Sequence, residues 1–236
     1  MTKAPRAGKV KTRLTPPLTR EEAAALNICF LRDISAAIGR VGGNARGIGC
    51  FTPVGSEEMY RDIFPAEFQL LAQHDGDLSE RLVGATGDLF GRGFASVCLI
   101  NSDSPTVPTS VFAEAARLLS SPREEVVIGP SDDGGYYLIG IRKPRPRLFE
   151  GIDWSTSRVC AQTLERSAEI GLNVRLLPAG YDVDDRKTLH RLCSELLGSD
   201  ASGAPEIAPV TRQFLCDIVR REGRHRIWPA APPVSF

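Results

Sequence analysis

Ala95-Ser-Val-Cys-Leu-Ile-Asn-Ser-Asp-Ser-Pro-Thr-Val-Pro108 decides how the chain is read. Ala95 to Ile100 is a short apolar, β-branched run of the kind that forms a buried central strand. It ends on Asn101-Ser102-Asp103-Ser104, with Pro105 and Pro108 fixing the backbone before the next helical pattern begins near Thr109. In an open α/β sheet, ligands bind just beyond the carboxyl ends of such strands. A carboxylate there can hold Mg²⁺ or Mn²⁺, hard cations that take oxygen ligands. The structural alternative is that Asp103 shapes a turn or caps the following helix.

Outward from this stretch, the periodicities alternate. Thr19-Arg20-Glu21-Glu22 is a capping box, and the spacing predicts a helix through Ile38 that buries Ala23, Leu26, Phe30 and Ile34 before Gly42-Gly43. Strand patterns follow at Gly47 to Phe51, Phe68 to Ala72, Glu125 to Ile128, Tyr136 to Ile141 and Val174 to Leu177. Helical patterns fall at Glu57 to Ile63, Leu78 to Phe90, Val111 to Leu119, Arg158 to Ile170 and Lys187 to Leu197. This alternation predicts an α/β fold with a mostly parallel central sheet and helices on both faces, to which the spacing around Gly134-Gly135 adds an antiparallel pair. Residues 1–198 read as the body. Residues 199–236 read as a linker (Ser199 to Pro209), a helix over Thr211 to Arg221 and an irregular Pro-rich end, packed on the same domain.

Composition narrows the class. The 236 residues are 42% hydrophobic and 25% charged, enough to bury one substantial core. Twenty-nine basic residues balance twenty-nine acidic ones, so there is no overall basic excess for a nucleic-acid partner, and an anionic ligand must be met locally. The six cysteines are scattered without a C-x-x-C pair, as buried reduced thiols are. No leader pattern and no apolar run of roughly 20 residues is present, which predicts a cytoplasmic protein without a transmembrane segment.

Five further places carry chemistry. The loop Lys3-Ala-Pro-Arg-Ala-Gly-Lys-Val-Lys-Thr-Arg-Leu14 gathers cations around Gly8, which lets backbone approach a ligand. Lys9, Lys11 and Arg13 can meet phosphate oxygens; the alternative is a solvated basic segment. It lacks the Walker A pattern, and almost no strand precedes it. Either Met1-Thr2-Lys3 is the stub of that strand, or the assigned start lies downstream of the true one. Asp182-Val-Asp-Asp185 offers Asp184 as a partner for Asp103 in a metal pair, or else is an acidic helix N-terminus. Gln73-His-Asp-Gly-Asp77 suits reading a base edge or capping a helix. Asp132-Asp133-Gly134-Gly135-Tyr136 suits a polar acceptor or a tight turn. Trp154 can stack on a sugar or pack on the core. None of the three histidines falls in a cluster, and no G-x-S-x-G, H-E-x-x-H or G-x-G-x-x-G pattern occurs.

In order, K-A-P-x-x-G-x-V-K-T-R-L, Q-x-x-G-D-L-x-E-R-L, S-D-S-P-T-x-P, G-P-x-x-D-G-G-Y-Y-L-I-G, W-S-T and D-V-D closely resemble a bacterial family, the DUF2064 proteins or selenodomain-associated transferases. The family is related to GT-A glycosyltransferases and to nucleotidyltransferases such as phospholactate guanylyltransferase. The resemblance spans Thr2 to Leu197 and implies a single-domain GT-A fold of the nucleotide-diphospho-sugar transferase type. It implies a metal-dependent glycosyltransferase; the alternatives are a nucleotidyltransferase and a non-catalytic nucleotide-binding scaffold. By position, Gly8, Lys11 and Arg13 would line the phosphate subsite, and Gln73, Gly76 and Asp77 the nucleobase segment. Asp103 and Asp184 would hold Mg²⁺ or Mn²⁺. Asp133 would act as general base, and Gly134, Tyr136 and Trp154 would face a small-molecule or lipid acceptor. Two departures stand out: members usually carry several apolar residues before K-A-P, and Asp185 replaces the threonine of D-V-D-T, which leaves the choice among Asp182, Asp184 and Asp185 open.

Overall fold

The computed structural model describes residues 1–198 and 206–229, so most of the expected linker and the last part of the Pro-rich end lie outside the described residues. Among the described residues, seven strands occur in the order β1 (Thr2–Lys3), β2 (Ile48–Thr52), β3 (Gln69–Ala72), β4 (Val97–Ile100), β5 (Glu125–Pro130), β6 (Tyr136–Ile141) and β7 (Asn173–Leu176). The α-helices are α1 (Arg20–Gly39), α2 (Leu78–Gly91), α3 (Thr109–Leu119), α4 (Val159–Glu169), α5 (Arg186–Leu197) and α6 (Pro209–Glu222). Glu57 to Ile63, expected as a helix, forms only a 3-10 turn over Glu57–Tyr60, because Pro65 follows too soon for an α-helix to propagate.

The strands pair as β1-β2-β3, all parallel, and as β4-β6-β5-β7, in which β6 runs antiparallel to both neighbours while β5 and β7 are parallel. The Met1 α-amine donates to Ile100 O at 2.7 Å and so sets the start of β1 beside the carboxyl end of β4, joining the two halves. Burial lowers the pKa of that amine. Helices cover both faces. On β5, Val126 and Ile128 pack toward Leu82, Leu89 and Phe149, while Val127 between them packs toward Phe112, Ala115 and Leu119 of α3.

α1 begins as its sequence dictates, with Thr19 Oγ1 accepting from Glu22 N and the Glu22 carboxylate accepting from Thr19 N. Its buried face meets Leu189, Leu192 and Cys193 of α5 and Leu215 and Ile218 of α6. Asp33 of α1 is buried, and its two oxygens accept from Val210 N (3.0 Å) and Thr211 N (2.8 Å), capping α6 where Ala208 supplies no side-chain cap. All six cysteines are free thiols, and burial pushes Cys29 up to about 11 and Cys98 up to about 12. No helix among the described residues is long and apolar enough to cross a membrane.

Candidate active site

Asp103 leaves the end of β4 in a turn in which Asn101 Oδ1 accepts from Asp103 N at 3.2 Å. Its carbonyl accepts from Val183 N at 2.9 Å, which ties the two acidic loops together through backbone. α3 starts at Thr109 with Pro108 at its N-cap and no side-chain cap, so the Asp103 carboxylate is not spent on that helix. It faces the basic loop instead. Lys11 Nζ lies 2.5 Å from Asp103 Oδ1, 2.9 Å from Asp184 Oδ1 and 2.9 Å from Val183 O. Arg13 Nη2 holds the other Asp184 oxygen at 3.1 Å.

Lys11 reaches this position from a left-handed backbone (φ 48°) and passes over the Phe30 ring, 5.4 Å from its centroid. The lysine side chain is only 4% exposed, whereas about a third of each aspartate side chain is open, 33% and 35%. Burial works against its charge, but Asp103 and Asp184 outweigh it and raise the ammonium above the ordinary lysine value.

The three acids of Asp182-Val-Asp-Asp185 have separate tasks. Asp182 Oδ1 accepts from Asn101 Nδ2 (2.8 Å) and Ser104 Oγ (2.6 Å), and burial pushes its carboxyl up despite these bonds. Asp185 is the N-cap of α5 in a reciprocal box with Thr188; the Thr188 backbone bond holds its carboxyl below the usual range. Asp184 alone of the three lines the cleft.

That cleft, about 410 Å³, opens at the carboxyl ends of β1, β2 and β4. Lys3, Lys9, Lys11, Arg13 and Arg81 line it together with Asp103, Asp184, Thr52 and Gln73. Lys3, Lys9 and Arg81 have no carboxylate partner among the described residues. Gln73 is largely spent on the fold: Nε2 donates to Cys50 O (2.9 Å) and Thr2 O (3.1 Å). Gly76 and Asp77 lie outside the lining residues. Asp77 caps α2 in a box with Glu80, and Gly76, at φ +111°, lies where a Cβ would come within 2.1 Å of the Glu80 carboxylate. Gly8 (φ +71°) also turns the chain behind the lining.

The residues expected at the acceptor gather in a separate patch. Asp133 Oδ1 accepts from Gly135 N at 2.9 Å and is exposed. Gly134 (φ +88°) crosses the backbone of Ser157, where a Cβ would lie 2.1 Å from the Ser157 carbonyl oxygen. Trp154 stands edge-on to Tyr136 at 6.5 Å and donates from Nε1 to Ser79 Oγ at 2.8 Å. The Tyr136 hydroxyl is buried, and desolvation pushes it up. The structure brings these four together beside the acidic loops, but none lines the cleft.

Three cleft residues carry no role in the sequence patterns: Asn27, Thr52 and Arg81. Asn27 carries a signal in retrospect: it is a polar residue inside the apolar stripe of α1, one turn after Ala23. Arg81 follows the Asp77 cap by one turn, so the cap aims it, and its Nε donates to Gly76 O at 3.0 Å. The donor set fits a hard cation in chemistry: two partly open carboxylates on one cleft, with oxygen ligands still to come from a bound phosphate. The Lys11 ammonium bridges both, and Arg13 adds the second positive charge at Asp184.

Comparison with known proteins agrees with the fold. The signature of the family described as "Uncharacterized protein conserved in bacteria (DUF2064)" matches residues 43–156. A 2-phospho-L-lactate guanylyltransferase of Methanothrix thermoacetophila is 25% identical over 219 residues, covering 92% of this chain and 90% of that protein. The crystal structure of a "putative nucleotide-diphospho-sugar transferase" from Desulfovibrio desulfuricans G20 superposes with a TM-score of 0.75 at 32% identity, covering 90% of this chain and 95% of that one. With that identity over nearly the whole of both chains, and the family signature across its centre, the chain belongs to the DUF2064 family and is a transferase built on the nucleotide-diphospho-sugar transferase fold.

Proposed function

We propose that the protein is a divalent-cation-dependent glycosyltransferase whose nucleotide-diphospho-sugar donor lays its phosphates in the cleft. The observation that carries this is the convergence of Lys11 and Arg13 on Asp103 and Asp184, with Lys3, Lys9 and Arg81 left to meet an anion. Asp103 and Asp184 would hold Mg²⁺ or Mn²⁺. When bound, such a cation supplies charge neutralisation to a departing nucleoside diphosphate. The chain's own part is to add fixed positive charge from the side chains that line the cleft. Asp133, exposed on the neighbouring turn, is the proposed general base for a small-molecule or lipid acceptor.

A second reading, nucleotidyl transfer, is favoured by charge. Five basic side chains line the cleft against two carboxylates, and a triphosphate carries more negative charge than a nucleotide-diphospho-sugar. The guanylyltransferase relative supports the same reading.

Thermal shift and donor turnover with nucleotide-sugars and with triphosphates, each with and without Mn²⁺, separate the two. Mn²⁺-dependent stabilisation and release of nucleoside diphosphate from a nucleotide-sugar supports glycosyl transfer. Pyrophosphate released from a triphosphate supports nucleotidyl transfer. No response to either donor class overturns both.

A further inference from the structure

Asn27 is 3% exposed, and its Oδ1 is buried without a hydrogen-bond partner, yet the residue lines the cleft. Its helical neighbours Ala23, Leu26 and Phe30 are fully buried core residues. An amide oxygen in such surroundings carries an uncompensated desolvation cost, and a leucine of the same shape would serve the core better. The amide as it stands keeps Oδ1 closed off, and turning it toward the cleft that the residue lines is what would give that oxygen a partner from outside the chain.

Oδ1 is an acceptor only, so the partner must bring a proton. Phosphate oxygens at neutral pH do not, and Lys3, Lys9 and Arg81 already offer donors to them. Ribose hydroxyls and base N–H groups do. We propose that Asn27 is a substrate-binding residue whose Oδ1 accepts a hydrogen bond from the nucleoside half of the donor. This rests on the reading of the cleft as a nucleotide site. Asn27 would thus distinguish a nucleotide from a bare polyphosphate of equal charge, a discrimination that the cationic side chains around it cannot make.

The test is calorimetric titration of the full chain and of Asn27→Leu with GTP, CTP, UTP and ATP, and with inorganic tripolyphosphate, which has charge but no nucleoside. Each titration is run in EDTA and again in Mn²⁺. Asn27→Leu should lose about tenfold in affinity for the nucleotide that binds best, the loss of one hydrogen bond, in both buffers. Its affinity for tripolyphosphate should stay within about twofold, and its Tm should hold or rise by about 2–4 °C as the orphaned polar group disappears. Equal losses for nucleotide and tripolyphosphate would place Asn27 on the phosphates and overturn the proposal. So would a loss confined to Mn²⁺ buffer, or a fall in Tm with unchanged binding. If the wild type binds a nucleotide and the variant matches it, the Asn27 assignment alone fails; if the wild type binds tripolyphosphate but no nucleotide, the nucleotide reading fails with it. Should the leucine variant not fold, Asn27→Ala removes the same acceptor without added bulk, and the same affinity ratio decides.

Discussion

Lys11 donates to Asp103 across 2.5 Å from a side chain that is almost wholly buried, so the basic loop and the acidic turn after β4 are locked to one another before any ligand arrives. The same ammonium serves Asp184. Whatever cation is to sit on these carboxylates must compete with a lysine already there, and whatever phosphate is to use the lysine must draw it away. Metal binding and nucleotide binding therefore respond to Lys11 with opposite signs. Lys11→Met should bind Mn²⁺ alone about tenfold more tightly, because the carboxylates lose their counter-ion, and should bind nucleotide about 10–100-fold more weakly. Electron paramagnetic resonance titration of free Mn²⁺ reads the first quantity and calorimetry the second. Weaker Mn²⁺ binding in the variant would contradict this account.

Asp103→Asn keeps the shape of the turn, since Asn101 Oδ1 and Val183 N bond its backbone and not its carboxylate. Turnover with the active donor should fall by about 10²–10³, on the scale of losing one preorganised electrostatic group, here a carboxylate proposed to hold the cation. Circular dichroism should be unchanged. Turnover retained at the wild-type level would show that the charge at Asp103 is not needed for transfer.

Asp185 has a structural task that can be measured apart from the chemistry. Asp185→Ala removes the cap of α5 and should cost about 1 kcal/mol, or about 2–4 °C in Tm. The Asp185 carboxyl titrates lower in the fold than its ordinary 3.8. Its stabilisation is thus fully present above about pH 4 and is lost as pH falls through the folded value. Denaturation curves of the two proteins should differ at pH 7 and converge at the acid end. A gap that persists under acid would assign the effect to something other than the ionised cap.

Gly134→Ala tests whether the Asp133 turn is shaped by packing. A Cβ there meets the Ser157 carbonyl oxygen at 2.1 Å, and φ is +88°. A backbone atom cannot swing aside as a side chain can. The variant should lose about 2 kcal/mol or more in urea denaturation, and the 155–157 segment should become more open to proteolysis. An unaltered midpoint would mean that the two backbone segments are free to separate.

The parts of the fold that were legible in the sequence are those fixed by local chemistry. Thr19 and Glu22 lie three residues apart and cap one another, and the alternation of Val126, Val127 and Ile128 states which side chain faces which layer. Asp103 and Asp184 could be named because each sits at a strand-to-helix passage. Their meeting through Lys11 could not, since the Lys11–Asp184 contact alone joins segments more than 170 residues apart. Gln73 looked like a base reader because a flexible loop with an amide has that chemistry; the sheet takes its Nε2 for the carbonyls of Thr2 and Cys50. Asn27 was hidden for the opposite reason. Within an apolar stripe one polar residue reads as noise until the cavity in front of it is seen.

Asp33 grips the first turn of α6 with both carboxylate oxygens, and it stands on the same rigid rod as Asn27, less than two turns away. α6 lies outside the segment that carries the family signature, but mechanically it is a clamp on that rod. A ligand that settles against Asn27 would load the middle of a beam that Asp33, on the same helix, ties to α6. The Val210 and Thr211 amides would therefore act as a strain gauge for the cleft: their hydrogen exchange should slow when the cleft fills, although neither residue lines it.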